Sequence, residues 1–225
     1  MIPLRDDIRS SRFPIVTVSL IVINVLVFLY QLYLESMGLQ DQFILTWATV
    51  PYDVIHNLNT HTILTLFASM FMHGGWLHIA GNMLYLWIFG DNIEDTLGPV
   101  LYVFFYLFCG LAADAAHILS DPNSHVPTLG ASGAIAGVLG AYLVLFPSAK
   151  VQTLIFAFRF VRMVALNALW LLGFWFVMQL FSGVGSLGGP GEGVAYFAHI
   201  GGFIAGAVLI FLYAKLRGIP VFQRY

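Results

Sequence analysis

Long runs of apolar residues, separated by short polar segments, are the dominant pattern along this chain of 225 residues. A hydrocarbon core roughly 30 Å thick is crossed by about 20 residues of helix. Runs of suitable length predict six membrane-spanning helices, with charges and glycine-rich stretches marking the breaks between them. The predicted spans are about 13–34, 76–91, 96–117, 131–149, 163–181 and 194–215.

Two interruptions divide longer apolar runs. The glycine pair after His73 separates the second span from the piece Thr62 to Met72, which is too short to cross and is expected to lie in or on the membrane. The stretch from Ser182 to Gly191 is so rich in glycine that no helix is expected to persist there. The first piece is therefore not counted as a span, and the second is predicted to be a loop.

The composition agrees with a membrane protein. Hydrophobic residues make up 60% of the chain and charged residues 9%, against about 25% charged residues in soluble domains. This excludes an ordinary soluble domain, and the net charge of −2, with no basic stripe, gives no support for a nucleic-acid partner. The single cysteine, Cys109, cannot form an internal disulfide and is expected to be a small core residue.

The cations predict the topology. Cytoplasmic segments carry an excess of Lys and Arg, so the three groups of cations should share one side of the membrane. Groups on the same side must be separated by an even number of crossings. Six spans give four crossings between the first and second groups and two between the second and third, so both termini are predicted to lie in the cytoplasm. The groups are Arg5, Arg9 and Arg12; Lys150, Arg159 and Arg162; and Lys215, Arg217 and Arg224.

Four polar residues are predicted to share one layer of the membrane. Counting helix rise from the inner charges puts Ser132 about 27 Å and His199 about 24 Å above the inner edge. The same count puts His78 and Asn82 about 20 and 14 Å above it. Residues from three parallel spans therefore converge in the outer half of the bilayer.

Such a layer has the groups needed for acyl transfer. Ser132 would be the nucleophile and His199 the base that removes its proton, since histidine titrates near neutrality. Asn82 and His78, which lie one turn apart, could donate hydrogen bonds to an oxyanion, together with the backbone N–H of Ser132.

Small residues near the serine and the histidine have a packing interpretation as well. Gly133 with Gly137, and Gly202 with Gly206, are pairs that allow two membrane helices to touch through their backbones. A Gly-Ala-Ser-Gly-Ala run by itself is commonly packing material. An intramembrane histidine level with the serine favours the catalytic interpretation, because ionisable groups in membranes are usually functional.

Several short motifs occur in a characteristic order. They are Gly130-Ala131-Ser132-Gly133-Ala134, Ala198-His199-Ile200-Gly201-Gly202, the series His73, His78 and Asn82, and Glu94 followed by Leu97-Gly98. Over roughly residues 15–215 the chain resembles the rhomboid family of intramembrane serine proteases. The resemblance implies an all-α polytopic bundle of six transmembrane helices with both termini cytoplasmic, and a water-filled cavity open to the outer side. It also implies a membrane-associated first loop at about 42–75 and a flexible cap loop at about 182–193.

The resemblance also implies roles for individual residues. Ser132 would be the nucleophile and His199 the general base of a dyad, with Asn82 and His78 forming the oxyanion hole. Two positions depart from the family pattern. Leu64-Thr65 stand where many rhomboids have a Trp-Arg pair in the first loop, and Ala136 stands where many have an aromatic residue that stacks on the catalytic histidine.

The remaining polar residues suggest no second site. Asp114 and His117, one turn apart, are interpreted as a capped pair near the outer end of the third span, and His73 as a residue that steadies the entry into the second. No metalloprotease or paired-aspartate motif is present, so a metal site is not predicted. The other histidines are expected to be solvated loop residues: His56, His61 and His125.

The function predicted from the sequence is that of a serine protease that needs no cofactor. Its partners would be the lipid bilayer and transmembrane protein substrates, cut in or near the outer end of a transmembrane segment. One alternative is a catalytically silent rhomboid-like protein that binds transmembrane helices. A transporter or channel is a second alternative, disfavoured by the shallow polar layer and the lack of an internal repeat. The short chain without a presequence favours a bacterial or archaeal plasma membrane.

Overall fold

The computed structural model describes residues 1–157, 160–186 and 194–222, and it is mostly helical, as the apolar runs predicted. The N-terminal and first-loop helices are α1 (Ile15–Ser36), α2 (Gln40–Trp47), α3 (Pro51–His56) and α4 (Thr60–Ala68). The helices of the main bundle that follow are α5 (Trp76–Leu97), α6 (Pro99–Ser120), α7 (Ser132–Leu145), α8 (Ala168–Gly185) and α9 (Tyr196–Arg217).

Helix length and composition identify an integral membrane protein. Within the described ranges, α1, α6, α8 and α9 are each long and apolar enough to cross a membrane. A fifth candidate span is formed by two helices together, α4 with its 3-10 extension Ser69–Phe71, and α5. These two helices meet at a bend of 81°. With 14 residues, α7 is about 21 Å long and falls short of a full crossing. The count of six spans therefore stays a prediction.

A small antiparallel sheet corrects the prediction of an all-α fold. Strands β1 (Ile2–Arg5), β2 (Lys150–Ala157) and β3 (Phe160–Asn167) pair in the order β1-β2-β3, with Thr153 opposite Val164. In β2, Val151 and Thr153 are fully buried, whereas the residues that alternate with them are partly exposed. This period of two and the β-branched residues favour a strand. Residues 163–167, predicted to begin the fifth span, belong to the hairpin instead.

The C-terminal ends of three helices differ from the predicted ones by four residues or more. Helix α7 ends at Leu145 rather than 149, because Pro147 cannot continue a helix. Helix α5 continues to Leu97, where Gly98, with φ of +76°, ends it. Helix α8 extends to Gly185, four residues into the predicted cap loop, since glycine is tolerated in a helix that packs against a neighbour. The rest of that loop, residues 187–193, lies outside the described residues.

Glu94 joins α5 to the start of α1. The carboxylate of Glu94 accepts hydrogen bonds from the backbone N–H groups of Val16 at 2.9 Å and Thr17 at 2.8 Å, and from the Thr17 hydroxyl at 2.8 Å. The first N–H groups of a helix lack partners within the helix, and a negative charge there is favourable. A residue 77 positions away therefore caps the first membrane helix.

Contacts between distant segments bring described cations of all three groups to one end of the bundle. Strand β1 pairs with β2, the N–H of Lys150 donates to Asp7 at 2.8 Å, and the N–H of Phe222 donates to the carbonyl of Val144 at 2.8 Å. Arg159 and Arg224 lie outside the described residues. Since α7 begins at Ser132 and ends beside these contacts, Ser132 lies at the opposite end of the bundle.

Candidate active site

Ser132 is the first residue of α7, and the turn before it is held by glycine and by the first loop. Gly130 has φ of +135°, a conformation that side chains rarely adopt, and its N–H donates to the carbonyl of Ser69 at 2.9 Å. A Cβ at Gly130 would also lie 2.8 Å from Nε2 of His78. Glycine at this position therefore lets the backbone approach the histidine and sets where the serine begins the helix.

Threonines anchor the first loop to the segment that leads into Ser132. Thr49 and Thr128 form a two-bond bridge, with N–H to carbonyl distances of 3.0 and 2.8 Å. The hydroxyl of Thr49 also lies 3.2 Å from the carbonyl of Thr65 and 2.9 Å from the hydroxyl of Ser69. At the Leu64-Thr65 position, Thr65 is buried and Leu64 is exposed. Backbone and hydroxyl hydrogen bonds thus secure this loop.

His199 lies in the first turn of α9, which packs directly on α7 through glycines. A Cβ on Gly202 would overlap the carbonyl oxygen of Gly133, and a Cβ on Gly206 would overlap that of Gly137. Each glycine predicted to pack helices therefore lies at a contact between the two backbones. This close packing brings the first turn of α9 next to the first turn of α7.

Ser132 and His199 form a hydrogen-bonded pair. Oγ of Ser132 lies 2.8 Å from Nε2 of His199, although 67 positions separate the two residues in the sequence. Both line a cavity of about 990 Å³ that His78 and Asn82 also border. The structure thus gathers the four residues predicted to share a layer around one cavity, with the hydroxyl placed to donate its proton to the imidazole.

Two residues of α8 contact the imidazole on its other side, and sequence reasoning did not identify either. Oε1 of Gln179 lies 2.8 Å from Nδ1 of His199. The ring of Trp175, one turn earlier, is tilted at 38° to the imidazole, with 5.8 Å between centroids. Ala136, where the family pattern has an aromatic residue, is fully buried. The available signal was a lone amide in an otherwise apolar helix.

The side of the cavity formed by Asn82 and His78 is held by a chain of hydrogen bonds. Nδ2 of Asn82 lies 2.9 Å from Nε2 of His73, which is fully buried. The backbone of His73 pairs with the amide of Gln31 on α1, at 3.0 and 3.1 Å. Nδ1 of His78 accepts a hydrogen bond from the N–H of Gly74 at 3.3 Å. His73 therefore connects α1 to Asn82 and does more than steady the helix entry.

Asp114 and His117 do not form the predicted capped pair. Nε2 of His117 is hydrogen-bonded to the hydroxyl of Thr128 at 2.9 Å, and Nδ1 has no partner within the described structure. Asp114 lines a cavity of about 20 Å³ beside Ser132, and its Oδ2 has no hydrogen-bond partner there either. The hydrogen-bond partner of His117 is therefore Thr128, in the segment before α7.

The remaining residues singled out in the sequence lie apart from the cavity. Cys109 is fully buried against Gly137, as expected of a core residue. Within the described ranges, no three His, Cys, Asp or Glu side chains are grouped as a metal site would require. The three remaining histidines are exposed, on the short helices α3 and α4 and the segment before α7: His56, His61 and His125.

Comparison with known proteins finds sequence relatives of this chain. A family model for the Rhomboid domain matches residues 60–216. The chain is 33% identical over 97 residues to Rhomboid protein 1, mitochondrial, of Saccharomyces cerevisiae, covering 41% of this chain and 28% of that protein. Identity is 30% over 161 residues to RHOMBOID-like protein 1 of Arabidopsis thaliana, with coverages of 72% and 37%. It is 32% over 145 residues to Rhomboid protease GluP of Bacillus subtilis, with coverages of 64% and 25%.

The matched region includes every residue of the cavity described above. The chain spans between 25% and 37% of the length of these three relatives, so the match concerns the membrane domain that they share with it. The family model covers well over half of this chain. The chain therefore belongs to the rhomboid family.

Proposed function

We propose that the protein is a serine protease that cuts peptide bonds within the membrane. The observation that carries the proposal is the distance of 2.8 Å between Oγ of Ser132 and Nε2 of His199 at the wall of a cavity of about 990 Å³. A serine hydroxyl becomes a nucleophile when a positioned base accepts its proton. The similarity to Rhomboid protease GluP supports the same chemistry.

The proposed reaction uses groups of this chain alone and no cofactor. Oγ of Ser132 attacks the peptide carbonyl while Nε2 of His199 takes the hydroxyl proton, and the imidazole then gives this proton to the departing amine. Water attacks the resulting ester by the same steps in reverse and frees the serine. Asn82, His78 and the backbone N–H of Ser132 donate hydrogen bonds to the oxyanion, whose charge develops only as the bond forms.

The proposed substrate is a transmembrane segment of another membrane protein, entering laterally from lipid. A helix hides its carbonyls in its own hydrogen bonds, so attack requires a segment that unwinds near its outer end. Ser132 lies at the end of the bundle opposite the sheet and the cationic groups. With six spans and both termini cytoplasmic, this end faces outward. If a model substrate is cut equally well after its outer end is replaced by leucine, this idea fails.

We place the protein in a bacterial or archaeal plasma membrane, and the match to the Bacillus subtilis protein supports this location. The match to Rhomboid protein 1, mitochondrial, makes a mitochondrial membrane the alternative location. Fractionation of the native cells, followed by detection of the protein in each membrane, decides between them.

Labelling with a fluorophosphonate tests the proposed activity. The wild-type protein in detergent is expected to react, and Ser132→Ala and His199→Ala are expected to abolish labelling. Ser36→Ala, which removes an exposed hydroxyl at the end of α1, is the matched control and should label normally. A folded wild-type protein that does not react would instead support a catalytically silent member of the family that binds transmembrane helices.

A further inference from the structure

Gln179 is the only amide or charged side chain in the sequence of α8, and it contacts the imidazole of His199. An amide that faces hydrocarbon without a hydrogen-bond partner is strongly unfavourable. Its neighbours Met178 and Leu180 are exposed, as lipid-facing residues would be. The amide instead turns towards α9, where Oε1 lies 2.8 Å from Nδ1 of His199.

This contact decides which ring nitrogen of His199 carries the proton. Oε1 of an amide can only accept a hydrogen bond, so it requires a proton on Nδ1. A neutral imidazole with its proton on Nδ1 has a free lone pair on Nε2. Nε2 is the atom that lies 2.8 Å from the hydroxyl of Ser132. The amide therefore selects the tautomer that can act as a base towards the serine.

We infer that Gln179 is a positioning residue that, with Trp175, holds His199 in the tautomer and orientation needed to activate Ser132. The inference rests on the proposed protease function. The ring of Trp175 packs 5.8 Å from the imidazole and 6.1 Å from the ring of Phe203, so the histidine is confined from the α8 side. With Ala136 too small to stack on the imidazole, α8 supplies the support that the family pattern assigns to an aromatic residue of α7.

A purely structural role for Gln179 gives a different expectation. A hydrogen bond between two membrane helices could simply hold α8 against α9, with modest stabilisation. In that case its loss would lower stability and affect substrate binding and turnover alike. A positioning role lowers the turnover rate at saturating substrate and leaves the Michaelis constant unchanged.

The test compares Gln179→Met and Gln179→Glu. Methionine has nearly the same shape and no amide acceptor, whereas glutamate keeps an acceptor oxygen at the same distance along the side chain. With a transmembrane peptide substrate in detergent, Gln179→Met is expected to lower kcat about 10-fold with KM within about twofold, as the loss of one hydrogen bond suggests. Gln179→Glu is expected to stay within about threefold of the wild type. Leu180→Met, on the lipid-facing side, is the matched control.

The outcomes separate this inference from the proposed function. Wild-type activity with an unchanged kcat in Gln179→Met overturns the positioning role and leaves the protease function standing. An equal loss of kcat in Gln179→Met and Gln179→Glu also overturns the positioning role, because an acceptor oxygen at this position would then not preserve activity. A wild-type protein that neither labels nor cleaves overturns both. If Gln179→Met does not fold, Gln179→Asn replaces it, since its shorter amide cannot reach Nδ1 and the same 10-fold loss is expected.

Discussion

Gly206 of α9 lies so close to Gly137 of α7 that a Cβ on Gly206 would overlap the carbonyl oxygen of Gly137. The contact lies nearly two turns along α9 from His199, on the helix pair that also carries Ser132. Because both catalytic candidates lie at the first turns of these helices, the separation at the glycines controls the distance between the hydroxyl and the imidazole.

Gly206→Ala is expected to destabilise the protein by about 1–3 kcal/mol, the usual cost of overpacking, and to lower fluorophosphonate labelling by pushing α9 away from α7. Gly173→Ala is the matched control, since nothing lies within 4 Å of a Cβ built at this position of α8. It should stabilise by about 0.5–1 kcal/mol through helix propensity. Thermal unfolding in detergent measures both changes, and equal behaviour of the two variants would contradict the packing role.

Glu94→Ala is expected to destabilise the protein by about 2–3 kcal/mol, because the partly buried N–H of Val16 and the buried N–H of Thr17 lose a charged acceptor. Glu94→Gln keeps one acceptor oxygen and should cost less. Glu35→Gln, an exposed carboxylate at the other end of α1, serves as the control and should change the unfolding temperature little. A Glu94→Ala protein as stable as this control would show that α1 does not depend on the cap.

Asp6 gives the stability of the protein a dependence on pH. Burial, assisted by the nearby Asp91 and Asp7, raises the pKa of Asp6 from 3.8 to about 6, although the hydrogen bond from Tyr142 opposes the rise. Between these values the folded protein holds more protons than the unfolded chain, so the free energy of unfolding falls as the pH rises from about 4 to about 6.

Asp6→Asn is therefore expected to stabilise the protein above pH 6 by about 1 kcal/mol, a value reduced for solvent screening of this partly exposed carboxyl. Little change is expected near pH 4, where the carboxyl is protonated in the native state. Unfolding temperatures of both proteins between pH 4 and pH 7.5 measure the difference. Parallel profiles over this range would rule out Asp6 as the source of the pH dependence.

Removing the amide of Asn82 tests the oxyanion side of the proposed site. If the proposed mechanism holds, Asn82→Ala is expected to lower kcat by about 10²–10³, the loss that follows removal of one oxyanion donor from a serine protease. His73→Phe removes only the hydrogen bond that orients Asn82 and should cost about 10-fold. Asn57→Ala, an exposed residue of the first loop, is the control. Activity retained in Asn82→Ala would exclude this amide from the mechanism.

The sequence predicted much of the helical framework and the four residues around the cavity, because apolar run length and polar residues in membranes carry strong signals. Counting helix rise predicted that Ser132 and His199 lie at the same depth in the membrane. The glycines predicted that their two helices pack closely enough for the side chains to meet. The mean position of each long helix was predicted to within a few residues, except where a strand replaced the start of the fifth span.

Other features depend on contacts between distant segments and could not be read from local patterns. Gln179 looks like an isolated polar residue until α8 is placed beside α9. The strands β2 and β3 were predicted to be partly loop and partly helix, since apolar content alone does not distinguish a strand from a membrane helix. Thr128, the hydrogen-bond partner of His117, likewise lies in a later segment of the chain.

The pairing of β1 with β2 joins the first residues of the chain to a strand about 150 positions later. As the ribosome extends the chain, Ile2–Arg5 has no partner until α7 has been made and Lys150–Ala157 has emerged. Closure of this sheet is therefore a late event of assembly, and it can occur only in a chain whose first helices have been inserted with the correct orientation. A spectroscopic probe placed across β1 and β2 would report on the completion of membrane insertion.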